Sequence, residues 1–270
     1  MDSDSDSDNG FSMFTEPDDF RQKPPPPSKH VFERKPENIQ EGSIKTINFQ
    51  LIGHHSLWAH CLWNAGVVCT HYLDSHKEIC KGKRILELGA AASLPSFIAA
   101  INGAEVSVST DYPDKELIEN IQNNAINNIP ELVEKKVFNA VGYLWGADTT
   151  ELMKITNNQK FDVIIMADLL FNHSEHIHML QTCEKCLSPD GIVLVMYTSH
   201  RPWLAEKDYN FFNIAQEQFN FKVEKMFDTK MKVMFEEDPG SEEVRSTIHA
   251  YSLKFSDEPK EPKEPSESTI

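Results

Sequence analysis

ILELGAAASLPS, residues 85–96, combines an apolar strand with a tight turn and the start of a helix. The strand carries Glu87 and ends at Gly89. A dinucleotide-binding turn has further glycines at this point, because its backbone must approach a pyrophosphate closely. This chain has Ala91 and Ser93 instead. The turn therefore disfavours NAD and FAD, and it is compatible with a cofactor that has no phosphate.

Strand and helix patterns alternate on both sides of this turn. Strands are predicted at residues 45–52, 83–89, 104–111, 135–145, 161–171, 192–200, 221–227 and 247–255. Helices are predicted at residues 56–73, 94–101, 114–128, 175–187 and 206–219, the first of them capped by Ser56. Strands joined by helices pair in parallel, with helices on both faces. The pattern therefore predicts a doubly wound α/β fold.

The charge of the chain is strongly negative but unevenly distributed. The 270 residues contain 26 Lys and Arg against 42 Asp and Glu, a net charge of −16. Residues 1–20 hold six Asp and one Glu without a Lys or Arg, and residues 256–270 hold five acids and two Lys. The rest is mildly acidic, which argues against nucleic-acid binding, since proteins that bind phosphate backbones present a basic patch. An acidic protein favours basic partners.

The two ends also differ in composition from the middle. Residues 1–30 are rich in Asp, Ser and Pro, and residues 256–270 contain the repeat PKEPKEP. Such segments bury too little apolar surface to offset the entropy of ordering. We therefore predict one domain at residues 31–255 between two mobile tails.

The sequence indicates a cytoplasmic location. It has no apolar run of about 18 residues, as a membrane span requires. The start MDSDSDSDNG lacks the basic residues and apolar centre of a signal peptide. Five cysteines form no disulfide framework in a chain of this size and suit a reducing compartment. We expect no membrane association, and the expected assembly is a monomer.

Residues at the predicted strand ends indicate where a ligand binds, because ligands of such sheets lie beyond the carboxyl ends of the strands. Asp111 ends the predicted strand at residues 104–111, 22 residues after Gly89, which is the spacing of a carboxylate that binds ribose hydroxyls. The other ends lie near Trp145, at Ala167 and Asp168, and at Tyr197 to His200. A ribose-binding carboxylate beside a glycine-poor turn fits S-adenosylmethionine. The alternatives are a turn or helix-cap Asp and an ordinary buried strand.

Five motifs occur in a characteristic order: LWNAG (62–66), ILELGAAASLPS (85–96), STDYPD (109–114), GYLWG (142–146) and MADLLFNHSEH (166–176). Over about residues 40–255 the chain thereby resembles the seven-stranded S-adenosylmethionine-dependent methyltransferases of family 16, which modify lysines of cytosolic proteins. The resemblance implies a Rossmann-like, mostly parallel seven-stranded sheet with an antiparallel closing strand. It also implies S-adenosyl-L-methionine as the cofactor.

Within that family, the chain is similar to fungal enzymes that methylate translation elongation factor 1-alpha. The resemblance implies a protein substrate, modified at its N-terminal glycine amine and an adjacent lysine. Another protein lysine, or a small amine such as nicotinamide, is the alternative acceptor. A non-catalytic interaction module is the alternative to an enzyme.

The resemblance also assigns the cofactor site. Trp63 lies against the cofactor, and the turn of residues 89–91 passes beneath its methionine part. Asp111 holds the ribose, Trp145 borders the adenine and Ala167 contributes backbone contact. The implied cofactor-binding residues are Trp63, Gly89, Ala90, Ala91, Asp111, Trp145 and Ala167.

The acceptor side rests on Asp168 and Phe171, which match the acid-x-x-aromatic motif of the family. Asp168 is expected to attract and orient the cationic amine. Phe171 is expected to form an aromatic wall that favours a cation, with core packing as the alternative.

Two further groups of residues are candidates for metal binding and for substrate binding, respectively. His173, His176, His178, Cys183 and Cys186 lie close together but lack a second ligand pair at conventional zinc spacing, so no metal is expected. The acidic stretch FEEDPGSEE at residues 235–243 is typical of a solvated loop, and its charge also suits a basic substrate segment.

Overall fold

The elements of the structure follow the predicted alternation. The computed structural model describes residues 26–54 and 56–257. Its strands are β1 (Ser28–Glu33), β2 (Thr46–Leu51), β3 (Arg84–Leu88), β4 (Val106–Asp111), β5 (Phe138–Gly142), β6 (Phe161–Ala167), β7 (Leu187–Thr198), β8 (Phe221–Lys230) and β9 (Thr247–Phe255). Its α-helices are α1 (Asn64–Ser75), α2 (Leu94–Ile101), α3 (Lys115–Asn128), α4 (Pro130–Glu134), α5 (Thr150–Ile155), α6 (His176–Cys186), α7 (Ala205–Phe219) and α8 (Glu242–Ser246). The predicted mobile tails lie almost wholly outside the described residues.

One mixed sheet organises the fold. Its strand order is β5-β4-β3-β6-β7-β9-β8. β3 pairs in parallel with β4 and β6, and β9 runs antiparallel to β7 and β8. The predicted doubly wound, mostly parallel seven-stranded sheet with an antiparallel closing strand is confirmed. Because the chain runs from β3 to one edge and then returns to β6, a crevice opens at the carboxyl ends of these two strands.

The central strands are buried on both faces, as is usual for parallel strands between two helical layers. Along β3, Ile85 packs into the apolar cluster that includes α1 and α2. Its neighbour Leu86 packs into the opposite cluster, which includes α6 and α7. This alternation fixes the register of β3, because a shift of one residue would exchange the two faces.

A separate antiparallel hairpin of β1 and β2 packs beside α3. The side-chain oxygen of Asn124 in α3 accepts a hydrogen bond from the Gln50 N–H at 2.9 Å. Arg34 joins the hairpin to α1 through a buried ion pair with Asp74 at 2.7 Å. The sequence pattern did not indicate β1, which begins ahead of the expected domain boundary at residue 31.

The predicted helix at residues 56–73 is wrong in its first part. α1 begins at Asn64, with Trp63 as its cap residue, so Ser56 is not the helix cap. Before Asn64 the chain forms turns, and Trp58 has a left-handed φ of +62°. Leu57 and Trp58 are exposed. The apolar residues of this segment therefore do not form the buried face of a helix.

One predicted strand extends too far, and another ends where expected. The stretch at residues 135–145 forms β5 only from Phe138 to Gly142, whereas β6 ends at Ala167, at the strand end that the sequence indicated. In both places the chain leaves the sheet at its carboxyl edge. The residues that follow are free to line the crevice.

Candidate active site

A cleft of about 660 Å³ opens at the carboxyl ends of β3, β4 and β6. Its volume lies within the range of small-molecule binding sites. The cleft is lined by eight of the predicted site residues: Trp63, Gly89, Ala91, Asp111, Trp145, Ala167, Asp168 and Phe171. Ala90 lines a smaller adjoining cavity together with Gly89 and Ala91. The structure therefore brings the predicted residues together around one site.

Gly89 permits the turn after β3. Its φ is +59°, in the left-handed region that glycine adopts without strain. A Cβ atom at this position would lie 2.6 Å from Leu169 Cδ2 and 3.1 Å from Trp145 Cζ2. Glycine therefore allows Leu169 and the indole of Trp145 to close against the turn and shape one wall of the cleft.

Ala91 and Ser93, which stand where a dinucleotide site has glycines, keep a glycine-like backbone. Their φ angles are +41° and +59°. The Ala91 N–H donates to Asp111 Oδ2 at 2.7 Å, and the Ser93 hydroxyl donates to Ser109 Oγ at 2.7 Å. These bonds offset a left-handed conformation that costs an L-residue about 1–2 kcal/mol. The turn is therefore an intact structure and not a damaged dinucleotide site.

Asp111, at the end of β4, is fixed by two backbone groups. Oδ2 accepts from the Ala91 N–H, and Oδ1 accepts from the Tyr112 N–H at 2.7 Å. The residue is 7% exposed and lines the cleft. Because a carboxylate oxygen accepts more than one hydrogen bond, Asp111 is able to bind ribose hydroxyls as well. With the apolar surface of Trp145 nearby, these groups fit a nucleoside cofactor.

Glu87, the carboxylate of the opening motif, is buried beneath the turn. It accepts hydrogen bonds from the Ser96 N–H at 3.0 Å and from the Ser96 hydroxyl. Ser96 lies in the first turn of α2, where backbone N–H groups have no partner within the helix. Burial raises the pKa of Glu87 to about 8. Glu87 therefore joins β3 to the start of α2.

Asp168, the residue after β6, has a strained backbone, and only one of its two carboxylate oxygens is hydrogen-bonded within the described residues. Its φ is +60° and it is 2% exposed. Its Oδ1 accepts from the Thr198 N–H at 3.1 Å and lies 3.1 Å from His200 Nε2. Its Oδ2 is buried and has no hydrogen-bond partner among the described residues. Leaving a buried carboxylate oxygen unpaired is costly, so this oxygen is suited to a donor on a ligand.

Aromatic rings gather beside Asp168, with Trp63 at their centre. The Trp63 ring stacks on Phe171 with centroids 5.8 Å apart. Its centroid lies 4.9 Å from the His200 ring and 6.1 Å from the Phe235 ring. Trp63 and Phe171 are half-buried and line the cleft, so Phe171 is not part of a closed core. The faces of these rings suit a cationic group.

His200 belongs to this group, although it was not among the predicted site residues. It lies two positions after the end of β7, and its side chain is 10% exposed. The sequence does place a strand end at Tyr197 to His200. Because ligands bind beyond the carboxyl ends of such strands, this segment could have been assigned to the site. Within this segment, no sequence pattern distinguishes His200 from its neighbours.

Phe235 was also not predicted as a site residue, because it is distant in sequence from the other residues of the site. It belongs to the β8–β9 loop, residues 231–241. β9 begins at the carboxyl end of β7, which brings the loop to the same edge of the sheet. Asn64 secures the loop by donating to the Lys232 carbonyl oxygen at 2.7 Å. The local pattern FEEDPGSEE indicated only a solvated acidic loop.

The histidines and cysteines of residues 173–186 make contacts within the protein. The histidine contacts are His173 with Asp208, His176 with the Leu170 carbonyl oxygen and His178 with Glu175. Cys183 and Cys186 are buried, and burial raises the pKa of both thiols. Across residues 26–54 and 56–257, no group of His, Cys, Asp and Glu could hold a metal ion. In the same part of the chain, no helix has the length and apolarity of a membrane span.

Residues 48–218 match the sequence profile of a lysine methyltransferase family. The chain belongs to this family. It is 42% identical over 249 residues to a protein N-terminal and lysine N-methyltransferase of Schizosaccharomyces pombe, with 90% of this chain and 95% of the relative covered. A protein of the same name from Kluyveromyces lactis is 41% identical over 270 residues, with 93% and 98% covered.

Among solved structures, Pyrococcus horikoshii TYW2 in complex with MeSAdo shares the fold. Its TM-score is 0.51 at 15% sequence identity, and the match covers 81% of this chain and 70% of that one. The expected Rossmann-like fold and the assignment to family 16 are therefore confirmed. The protein is a methyltransferase that uses S-adenosylmethionine.

Proposed function

We propose that this enzyme methylates the N-terminal amine and an adjacent lysine of translation elongation factor 1-alpha in the cytoplasm. The names of its relatives in Schizosaccharomyces pombe and Kluyveromyces lactis support protein N-terminal and lysine acceptors. The match extends over nearly the full length of both proteins. Its five cysteines are free, which agrees with a reducing compartment.

The unpaired Oδ2 of Asp168 is the observation that carries the choice of an amine. A protonated amine offers N–H donors and a positive charge, and it would satisfy an oxygen that is buried and has no partner within residues 26–54 and 56–257. Trp63 and Phe171 provide aromatic surface on the same side of the cleft. A hydroxyl or thiol acceptor would supply one donor but would not use the negative charge.

In the proposed reaction, the cofactor and the acceptor amine bind to different parts of the cleft. When bound, S-adenosylmethionine supplies a methyl group already activated by a sulfonium, so no covalent enzyme intermediate is needed. Asp111 and the turn after β3 hold the nucleoside and methionine parts. Asp168 holds the amine, and Phe171 shields it from water. Alignment of two reactants in an enclosed site contributes up to about 7–11 kcal/mol in well-oriented systems.

The acceptor ammonium must release a proton to water before its nitrogen can bond to the methyl carbon as the bond from that carbon to sulfur breaks. An N-terminal amine has a reference pKa of about 7.7–8.0, whereas that of lysine is about 10.4. The N-terminal amine therefore needs less assistance than lysine, and we expect its methylation to extend to lower pH.

Peptide mass spectrometry of unmodified elongation factor 1-alpha tests this proposal. The factor is incubated with the enzyme and S-adenosylmethionine, with Asp168→Asn as the inactive comparison and Asp190→Asn, an exposed carboxylate, as the matched control. We expect mass gains of whole methyl groups, confined to the first few residues, with wild type and with the control. No gain, despite measured cofactor binding, would contradict the acceptor and direct the search to another amine.

A further inference from the structure

His200 contacts the acceptor end of the cleft without lining it. Its Nε2 lies 3.1 Å from Asp168 Oδ1. Its ring packs against Trp63 with centroids 4.9 Å apart and against Phe235 with centroids 6.3 Å apart. One histidine therefore touches the proposed amine-binding carboxylate and two of the aromatic rings beside it.

We propose that His200 is a positioning residue for the acceptor amine: it holds Asp168 through Oδ1, presents Oδ2 to the amine, and changes the charge of the acceptor end when it gains or loses a proton. This inference rests on the proposed function, because it concerns the binding of a cationic amine.

The hydrogen bonds of Asp168 support the positioning role. An ionised carboxylate oxygen only accepts hydrogen bonds, so the Nε2 of His200 must carry the proton of this bond. The Thr198 N–H donates to the same oxygen at 3.1 Å. Two donors thus occupy Oδ1, while Oδ2 has no partner in the described part of the chain. The carboxylate is held in the orientation that leaves Oδ2 for the substrate.

The charged groups around His200 come from several elements. Asp168 faces it from the end of β6, Asp208 from α7 and Asp238 from the β8–β9 loop. His173 lies against Asp208 at 2.7 Å. The adjacent Arg201 donates to the Phe171 carbonyl oxygen at 2.8 Å.

The carboxylates of Asp168, Asp208 and Asp238 raise the pKa of His200 above its usual value. Burial acts in the opposite direction, but the charge and hydrogen bond of Asp168, followed by Asp208 and Asp238, outweigh it. Below that pKa, the imidazolium and Asp168 form a neutral pair that attracts an ammonium group weakly. Above it, the pair carries a net negative charge. Binding of the acceptor should therefore improve as the pH rises through the pKa of His200.

Two substitutions test separately the hydrogen bond from His200 to Asp168 and the titration of His200. His200→Phe keeps a ring against Trp63 and Phe235 but removes the donor to Asp168. His200→Gln keeps a donor but does not titrate. His249→Gln is the matched control, because His249 in β9 forms a comparable pair with Asp228 in β8 at 2.8 Å.

The experiment measures kcat and KM for an N-terminal peptide of elongation factor 1-alpha across the pH range, and cofactor affinity by calorimetry. For His200→Phe we expect KM to rise about tenfold, in line with the loss of one hydrogen bond to a charged group, with cofactor affinity changed less than about twofold. For His200→Gln we expect most of the affinity for the peptide to return and the pH dependence of KM to flatten. His249→Gln should behave as wild type.

Three results would overturn the inference. One is a wild-type KM in His200→Phe, and another is an equal loss of cofactor affinity in that variant. The third is a wild-type pH profile in His200→Gln. If wild type methylates no amine although it binds the cofactor, the proposed function fails and the inference fails with it.

Nuclear magnetic resonance titration of His200 provides a readout that needs no turnover. In Asp168→Asn the titration midpoint should move to lower pH, because the main favourable partner of the imidazolium is lost. An unchanged midpoint would show that the pair does not exist in solution.

Discussion

The turns after β3 and after β6 follow adjacent strands, line the same cleft and begin in the same way. Gly89 and Asp168 both leave their strands with a left-handed backbone, at φ +59° and +60°. Glycine adopts that conformation freely, whereas an Asp does so at a cost. Beside the first turn, the carboxylate of Asp111 at the end of β4 is paired through both oxygens, one of them by the Ala91 N–H. In the second, Asp168 Oδ2 has no partner in the described chain.

The difference indicates which end is complete before the substrate arrives. The cofactor end is preformed, because hydrogen bonds of Ala91 and Ser93 offset their left-handed backbone and both carboxylate oxygens of Asp111 are paired. The acceptor end retains both a strained residue and an unsatisfied oxygen. Proteins tolerate such features mainly at functional sites, where a ligand supplies the missing contact.

Replacing Asp168 with Ala should give the largest effect. We expect kcat/KM for the protein substrate to fall about 100-fold, because a hydrogen bond to a charged group contributes roughly 1.5–3 kcal/mol. Cofactor affinity should change less than about threefold. Steady-state kinetics and calorimetry test both, and a wild-type turnover would remove the assigned role from this residue.

Replacing Asp111 with Ala should affect the other end. The ribose hydroxyls and the Ala91 N–H both lose an acceptor, so cofactor affinity should fall about tenfold or more. Calorimetry with S-adenosylhomocysteine measures the loss directly. An affinity within error of wild type would mean that the nucleoside does not lie beside β4.

Gly89→Ala should destabilise the fold more than Gly82→Ala, which is its matched control. Gly82 has a φ of +69° and nothing within 4 Å of an added Cβ, so its substitution carries only the conformational cost, about 1 kcal/mol. The Cβ at residue 89 would also collide with Leu169 and approach Trp145. We expect a cost of about 2–3 kcal/mol and weaker cofactor binding, measured by denaturant unfolding and calorimetry. If the two substitutions lower the free energy of unfolding equally, Leu169 moves away from the added Cβ without a measurable cost.

Ala91→Gly should give the smallest effect. Glycine relieves the strain at φ +41° but adds flexibility to the unfolded chain, and the two changes nearly cancel. We expect stability within about 0.5 kcal/mol and cofactor affinity within about threefold of wild type. A loss comparable to that of Asp111→Ala would show that the Ala91 side chain binds the cofactor.

The parts that the sequence predicted correctly follow from local patterns. Buried strands read as apolar runs, and Asp111 and Asp168 stand directly at their ends, so both could be assigned to the carboxyl edge. The errors arise where apolar residues line or approach the cleft instead of packing into the core. Leu57 and Trp58 resemble the start of a helix, yet they lie exposed in a turn. Phe235 reaches the site only through the pairing of β9 with β7.

The structure of the enzyme crystallised with S-adenosylhomocysteine tests the division of the cleft most directly. The account predicts that the ribose hydroxyls contact Asp111, that the adenine lies beside Trp145, and that the sulfur faces Asp168 and Phe171. A nucleoside bound against Asp168, or outside this cleft, would contradict it.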